Sequence, residues 1–237
     1  MESNLYHFSL KDYLTFKQIK VQFANFEINE GEICLLSYFY THSKSLLLSE
    51  IIKESCKNFD SVLLFDMNFS VDIECIENHN LKVLRYEIFN ACELLMYLKS
   101  LYSFIKDSKM RPVVVIDSWN TYLMGDGFRG ELLSGMVEKK CWETVFKLNE
   151  KLMCTFLICK KVNSTQGVVN TQVGKFGLIH FEEIQSVKQF GLLDAKFSED
   201  GNTLYHALID NQLLKLSIFV YPFKWLLSEN LSEIDES

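Results

Sequence analysis

Several short runs of this chain are apolar at nearly every position instead of every second one. They are Ile33-Cys34-Leu35-Leu36-Ser37, Ser61-Val62-Leu63-Leu64-Phe65-Asp66, Leu81-Lys82-Val83-Leu84, Val113-Val114-Val115-Ile116-Asp117 and Thr155-Phe156-Leu157-Ile158-Cys159. A strand that is apolar on both faces must be covered on both faces. Between the runs lie amphipathic segments: Leu47, Leu48, Ile51, Ile52 and Ser55 recur at steps of three and four, as do Leu94, Leu95, Leu98, Leu101, Tyr102 and Ile105. The same spacing marks Met136, Val137, Cys141, Thr144, Val145 and Leu148 within a helix predicted over residues 132–152. Strands alternating with crossover helices predict an α/β fold with a mostly parallel twisted sheet flanked by helices.

Local signals punctuate that pattern. Asn90 with Glu93 forms a capping box ahead of Leu94, and Arg111-Pro112 stops the helix before the next strand. After Lys161 the texture changes. Residues 163–175 are polar and flexible in character, and 176–221 carry strand-like segments about a hairpin turn at Gly201-Asn202, which predicts an antiparallel extension at the sheet edge.

The 237 residues are 48% hydrophobic and 23% charged, enough apolar material for one large core. With 2 prolines and 10 glycines there is no composition for a linker, so residues 1–227 are read as a single domain with an N-terminal extension. Residues 228–237 form a disordered acidic tail. Its four acids and no base account for −4 of the net −7, leaving −3 for residues 1–227. No apolar stretch approaches the run of about 18 residues that a bilayer span needs. Met1-Glu2-Ser3-Asn4 lacks the basic and apolar regions of a secretory signal, so a reducing compartment is expected. The seven cysteines contain no C-x-x-C pair and are read as small core residues, with no metal site.

A strand, a loop, Lys44-Ser45, a helix and, 73 residues after Lys44, a strand ending in Asp117 make the layout of a P-loop core. In such a loop glycines let backbone N–H groups close around phosphate, while the hydroxyl and the aspartate organise magnesium. Here Tyr38 and Ser43 stand where the pattern G-x-x-x-x-G-K-[ST] has its glycines. A Cβ at the second position resists positive φ, and a tyrosyl ring at the first fills space near the phosphate path. Lys44, Ser45 and Asp117 are therefore read as vestiges of a nucleotide site, with no cofactor and no catalytic residue. An ATPase using Lys44 and Asp117 with ATP and magnesium is the alternative.

At these residues the chain resembles the RecA family, in particular the eukaryotic strand-exchange recombinases and their paralogues. Val113-Val114-Val115-Ile116-Asp117-Ser118 is similar to the family's second nucleotide motif, and Phe128-Arg129-Gly130-Glu131-Leu132-Leu133-Ser134 to its first DNA-binding loop, R-G-E-L-S. The strand ending Cys159-Lys160-Lys161-Val162 falls where the family reads T-N-Q-V. The likeness spans about residues 26–221 and implies a RecA-like P-loop core. Departures set its chemistry. The family's T-E-G glutamate aligns with Met67-Asn68-Phe69, its coupling glutamine with Lys161, and no F-x-x-A assembly motif is found.

These losses point to a non-catalytic paralogue resembling the short RecA-like subunits of Shu-type complexes. The resemblance implies a nuclear, heteromeric, DNA-binding subunit that promotes recombinase filament assembly. Its implied partners are another RecA-like paralogue, a SWIM-type zinc-containing subunit, or both, together with a strand-exchange recombinase and single-stranded or forked DNA. Arg129 in its glycine-containing stretch, Lys160 and Lys161 at a strand end, and Lys175 are the candidate DNA contacts. Tyr38, Phe39 and Tyr40 are read either as packing a collapsed pocket or as stacking at an interface. The aromatic ends, Phe8 to Phe16 and Phe219 to Leu227, are read either as core or as subunit interface, and Trp119 as core.

Overall fold

The computed structural model describes residues 18–20, 27–39, 41–67, 71, 83–108, 110–119, 127–162, 165–170, 175–178, 184, 186–194, 203–210 and 216–222. The strands are β1 (Gln18–Lys20), β2 (Glu27–Asn29), β3 (Ile33–Tyr38), β4 (Ser61–Asp66), β5 (Val83–Glu87), β6 (Pro112–Asp117), β7 (Thr155–Lys161), β8 (Thr165–Asn170), β9 (Lys175–Leu178), β10 (Lys188–Asp194), β11 (Thr203–Asp210) and β12 (Leu216–Pro222). Among the described residues three helices fall between them: α1 (Thr41–Asn58) after β3, α2 (Ala91–Ser108) after β5 and α3 (Gly127–Leu152) after β6. The aromatic ends, apart from Phe219 to Pro222 in β12, lie outside the described residues, as does the acidic tail.

The main sheet has eight strands in the order β12-β11-β10-β3-β7-β6-β4-β5. Six of them, β10 through β5, run parallel, while β11 and β12 return antiparallel at one edge. The expected α/β class and antiparallel extension are therefore both present. Alternate strand residues enter opposite cores, as the two-residue period of a strand requires. Cys34, Leu36, Val62, Leu64, Val113, Val115, Leu157 and Cys159 pack with Leu47, Leu48, Ile51 and Ile52 of α1. Leu35, Leu63, Phe65, Val114, Ile116, Phe156 and Ile158 pack with Leu94, Leu98, Leu101 and Ile105 of α2 and with Cys141, Val145 and Leu148 of α3.

Chain direction explains that division. From β3 to β4 the chain moves one way across the sheet, and from β5 to β6 to β7 it moves back. Crossovers of one hand then place α1 on one face and α2 and α3 on the other.

Some boundaries differ from the sequence reading. The third run is a strand over Val83–Glu87, Leu81 and Lys82 lying outside the described residues, and it is the last described strand at its edge of the sheet, with Leu84 44% exposed. Helix α3 begins at Gly127 instead of 132, and Met136, expected inside, is 60% exposed. Tyr102 is exposed as well. Residues 165–170 and 175–178, within and just past the segment read as flexible, pair as an antiparallel two-stranded sheet. Strands β10 and β11 pair antiparallel as a hairpin requires, with Asp194 opposite His206, and the turn expected at Gly201-Asn202 lies outside the described residues. Cys34, Cys141, Cys154 and Cys159 are buried, whereas Cys92 is exposed on α2.

The capping box holds: Asn90 Oδ1 accepts from Glu93 N at 2.9 Å. The Glu93 carboxylate in turn accepts from Phe89 N at 2.9 Å. Pro112 opens β6, the strand position where a missing N–H costs least.

Candidate functional site at the carboxyl edge of the sheet

Open parallel sheets gather ligand-binding groups outside the carboxyl ends of their strands. In this chain the two-residue period decides which side chains meet there. Tyr38 ends β3 in the same phase as Cys34 and Leu36, and Asp66 and Asp117 end β4 and β6 in the phase of Leu64 and Val115. Arg85 of β5 follows Val83, which packs against the same core. All four residues therefore sit on the α1 face, where the first turn of α1 carries Lys44.

Lys44 is fully buried, and its Nζ lies 2.5 Å from Oδ1 of the equally buried Asp117. The ammonium also stands 5.5 Å from the centroid of the Tyr38 ring. The Tyr38 hydroxyl shares a 2.7 Å hydrogen bond with Ser118 Oγ, which donates to Asp117 Oδ1 at 3.2 Å. Burial pushes the Tyr38 phenol well above its usual range, with the nearby charge of Asp117 adding to that rise and the Ser118 bond opposing it. Ser118 holds φ at +65°, a left-handed turn that lets the chain leave β6 at once. Beyond it Trp119 N donates to Cys159 O at 2.8 Å, and Trp119 is buried as expected.

A second ion pair adjoins the first. Asp66 is directly opposite Asp117 in the β4–β6 register, and its Oδ2 accepts from Arg85 Nη2 at 2.7 Å. Its Oδ1 has no hydrogen-bond partner among the described residues. Burial raises the Asp66 carboxyl above the ordinary carboxylate range, and Asp117 raises it further, against the pull of Arg85 and Lys44. Two carboxylates and two cations thus form an electroneutral group at the sheet edge. Sequence reasoning missed Asp66 and Arg85. Asp66 carried the same signal as Asp117, a carboxylate closing an apolar run, whereas nothing local marks Arg85.

The candidate DNA contacts are distributed differently. Lys160 and Lys161 are consecutive in β7, so they face opposite sides of the sheet. Lys161 is exposed, opposite Tyr38 in the β3–β7 register. Lys160 is half-buried on the other face, 3.9 Å from Glu138 Oε1 of α3, the same oxygen that accepts from Trp119 Nε1 at 2.9 Å. The two lysines therefore do not form one basic lip. Arg129 is in the first turn of α3, and Lys175 is the first residue of β9. Ser45 is half-buried in α1, Phe39 is half-buried, and Tyr40 and Asn68 lie outside the described residues.

Among the described residues no group of three or more His, Cys, Asp or Glu side chains converges as metal ligands, and no helix is long and apolar enough to cross a membrane. The fold and site define an α/β protein with a mostly parallel sheet and a buried charge cluster at its carboxyl edge. No protein-family model matches the chain, and no curated protein sequence matches it.

Proposed function

We propose that this chain is a catalytically silent RecA-like paralogue, a subunit of a heteromeric nuclear complex that binds DNA and promotes recombinase filament assembly in homologous recombination and repair. The observation that carries this reading is the buried Lys44–Asp117 pair beneath Tyr38. In a working P-loop the lysine meets phosphate and the aspartate organises magnesium. Here each is the other's partner, and the ring at the first glycine position stands over the lysine. A triphosphate would have to break a desolvated ion pair, a loss of about 3–5 kcal/mol when either charge is left alone. That penalty weakens binding by about two to four orders of magnitude. The residues present do not fit a magnesium–nucleotide complex, and the function they serve is binding.

The strand–loop–Lys-Ser–helix order and the parallel sheet support descent from a P-loop core, compatible with a RecA-like fold. The partners proposed are a second RecA-like paralogue, a SWIM-type zinc-containing subunit, or both, with a strand-exchange recombinase as the client. Arg129, Lys161 and Lys175 are the proposed phosphate contacts. Lys160, facing Glu138 on the opposite side, contributes less. An acidic chain with few such contacts gives a shallow dependence of affinity on salt.

The test uses the complex co-purified from its native cell. Arg129→Ala and Lys161→Ala each lower its affinity for single-stranded or forked DNA and each reduce the salt slope by about one unit, leaving the fold intact. Unchanged binding in the double variant rejects these contacts. Magnesium–ATP binding by the wild-type chain, abolished in Lys44→Ala, would instead make it an ATP-using subunit.

A further inference from the structure

We propose that Glu138 is a built-in brake on DNA binding: it draws Lys160 away from phosphate and keeps a fixed negative charge beside the end of β7. The inference rests on the DNA-binding reading above and assigns the regulation of that same surface.

Two periodicities bring the pair together. Along β7, Phe156 and Ile158 enter the core shared with α2 and α3, and Lys160 is the next residue of that row, past the end of the core. Along α3, Leu148, Val145 and Cys141 form the stripe packed on the same core, and Glu138 is its next position toward the amino end of the helix. A crossover helix runs opposite to the strand that follows it, so the two rows leave the core at the same edge. Ammonium and carboxylate meet there at 3.9 Å.

Trp119 fixes the carboxylate. Its indole Nε1 donates to Glu138 Oε1 at 2.9 Å, its ring is 4.6 Å from that of Trp142 on α3, and its backbone N donates to Cys159 O beside Lys160. The indole is fully buried, so the oxygen that faces the lysine is held by a rigid group.

Glu138 is one of the partners of Lys160, and with side chains 17% and 22% exposed the pair is partly in water. An ion pair that water reaches is weak, so a phosphate, with its own charge and several acceptor oxygens, competes for the ammonium. The carboxylate stays where the indole holds it. Once Lys160 turns to phosphate, that charge is left within close range of a polyanion, and the repulsion subtracts from what the lysine contributes.

Glu138→Gln tests this, because an amide oxygen still accepts from the indole while the charge is gone. In the complex co-purified from its native cell, the variant should bind single-stranded DNA about fivefold more tightly at low salt and steepen the salt slope by about one unit. Lys160→Ala should cost less than Lys161→Ala in the wild-type background and should abolish the gain in the Glu138→Gln background. Urea unfolding of each variant separates altered binding from altered structure. A wild-type complex that binds DNA, with an affinity that Glu138→Gln leaves unchanged, overturns the brake and leaves the DNA reading standing. So does a gain that survives Lys160→Ala, since the charge then acts on the surface at large. A wild-type complex that binds no DNA overturns both.

Discussion

The two ends of the central strands solve different problems. At the amino edge of β3 and β7 uncharged side chains close the backbone, beside a Glu32 carboxylate that is partly exposed: Asn149 Nδ2 donates to Gly31 O at 2.6 Å and to Cys154 O at 2.9 Å. Gly31 N donates to Thr155 Oγ1, and Phe156 N to Glu32 O, each at 2.9 Å. At the carboxyl edge Lys44, Asp117 and Asp66 are ionisable groups that are fully buried. A neutral hydrogen-bonded closure stabilises a fold directly, whereas a buried ion pair recovers in attraction little more than it loses in desolvation. The amino edge therefore adds to stability more directly than the carboxyl edge does.

The sharpest way to break that contrast is to remove one charge. Asp117→Asn leaves Lys44 buried without its counter-charge and should cost about 3–5 kcal/mol in urea unfolding, while Lys44→Met with Asp117→Leu should be far milder. A double variant as unstable as the single one would show that the pair supports the fold after all. At the amino edge, Asn149→Ala strips one donor from two carbonyls and should cost about 1–3 kcal/mol by the same measurement. Gly31→Ala should cost about 1 kcal/mol, because φ is +80° there and the new Cβ would lie 2.7 Å from Met153 Cε, a methyl that can move.

The smallest effect is a pH dependence. Burial raises the Asp66 carboxyl above its unfolded value, so the native state holds a proton that the unfolded chain has released. Its contribution is present below the unfolded carboxylate pKa, about 3.9, and is lost as pH rises through the folded value. Asp66→Asn should remove that downward slope, so the variant gains on the wild type as pH rises. A difference in unfolding free energy that stays flat across acid to neutral pH would refute it.

Much of the fold was legible because strands covered on both faces announce themselves: Val113 to Ile116 can serve as little else. The site was legible in halves. Lys44 and Asp117 are visible as a pattern 73 residues apart, and Tyr38 stood out as a large side chain beside them. The Tyr38–Ser118 bond, 80 residues apart, and the Asp66–Arg85 pair depend on which strands become neighbours, and no local signal encodes that. Lys160 and Lys161 read as one basic feature in sequence, yet the strand's alternation puts them on opposite faces.

Periodicity determined the α/β class and the mostly parallel sheet, since these follow from local pattern and from which faces of a strand are apolar. Strand order was left to tertiary structure. It alone set β6 beside β4, so that Asp117 faces Asp66, and placed β5 at the end of the described sheet. Charge coupling and edge position are properties of neighbours, and neighbours distant in sequence are chosen only when the whole chain packs.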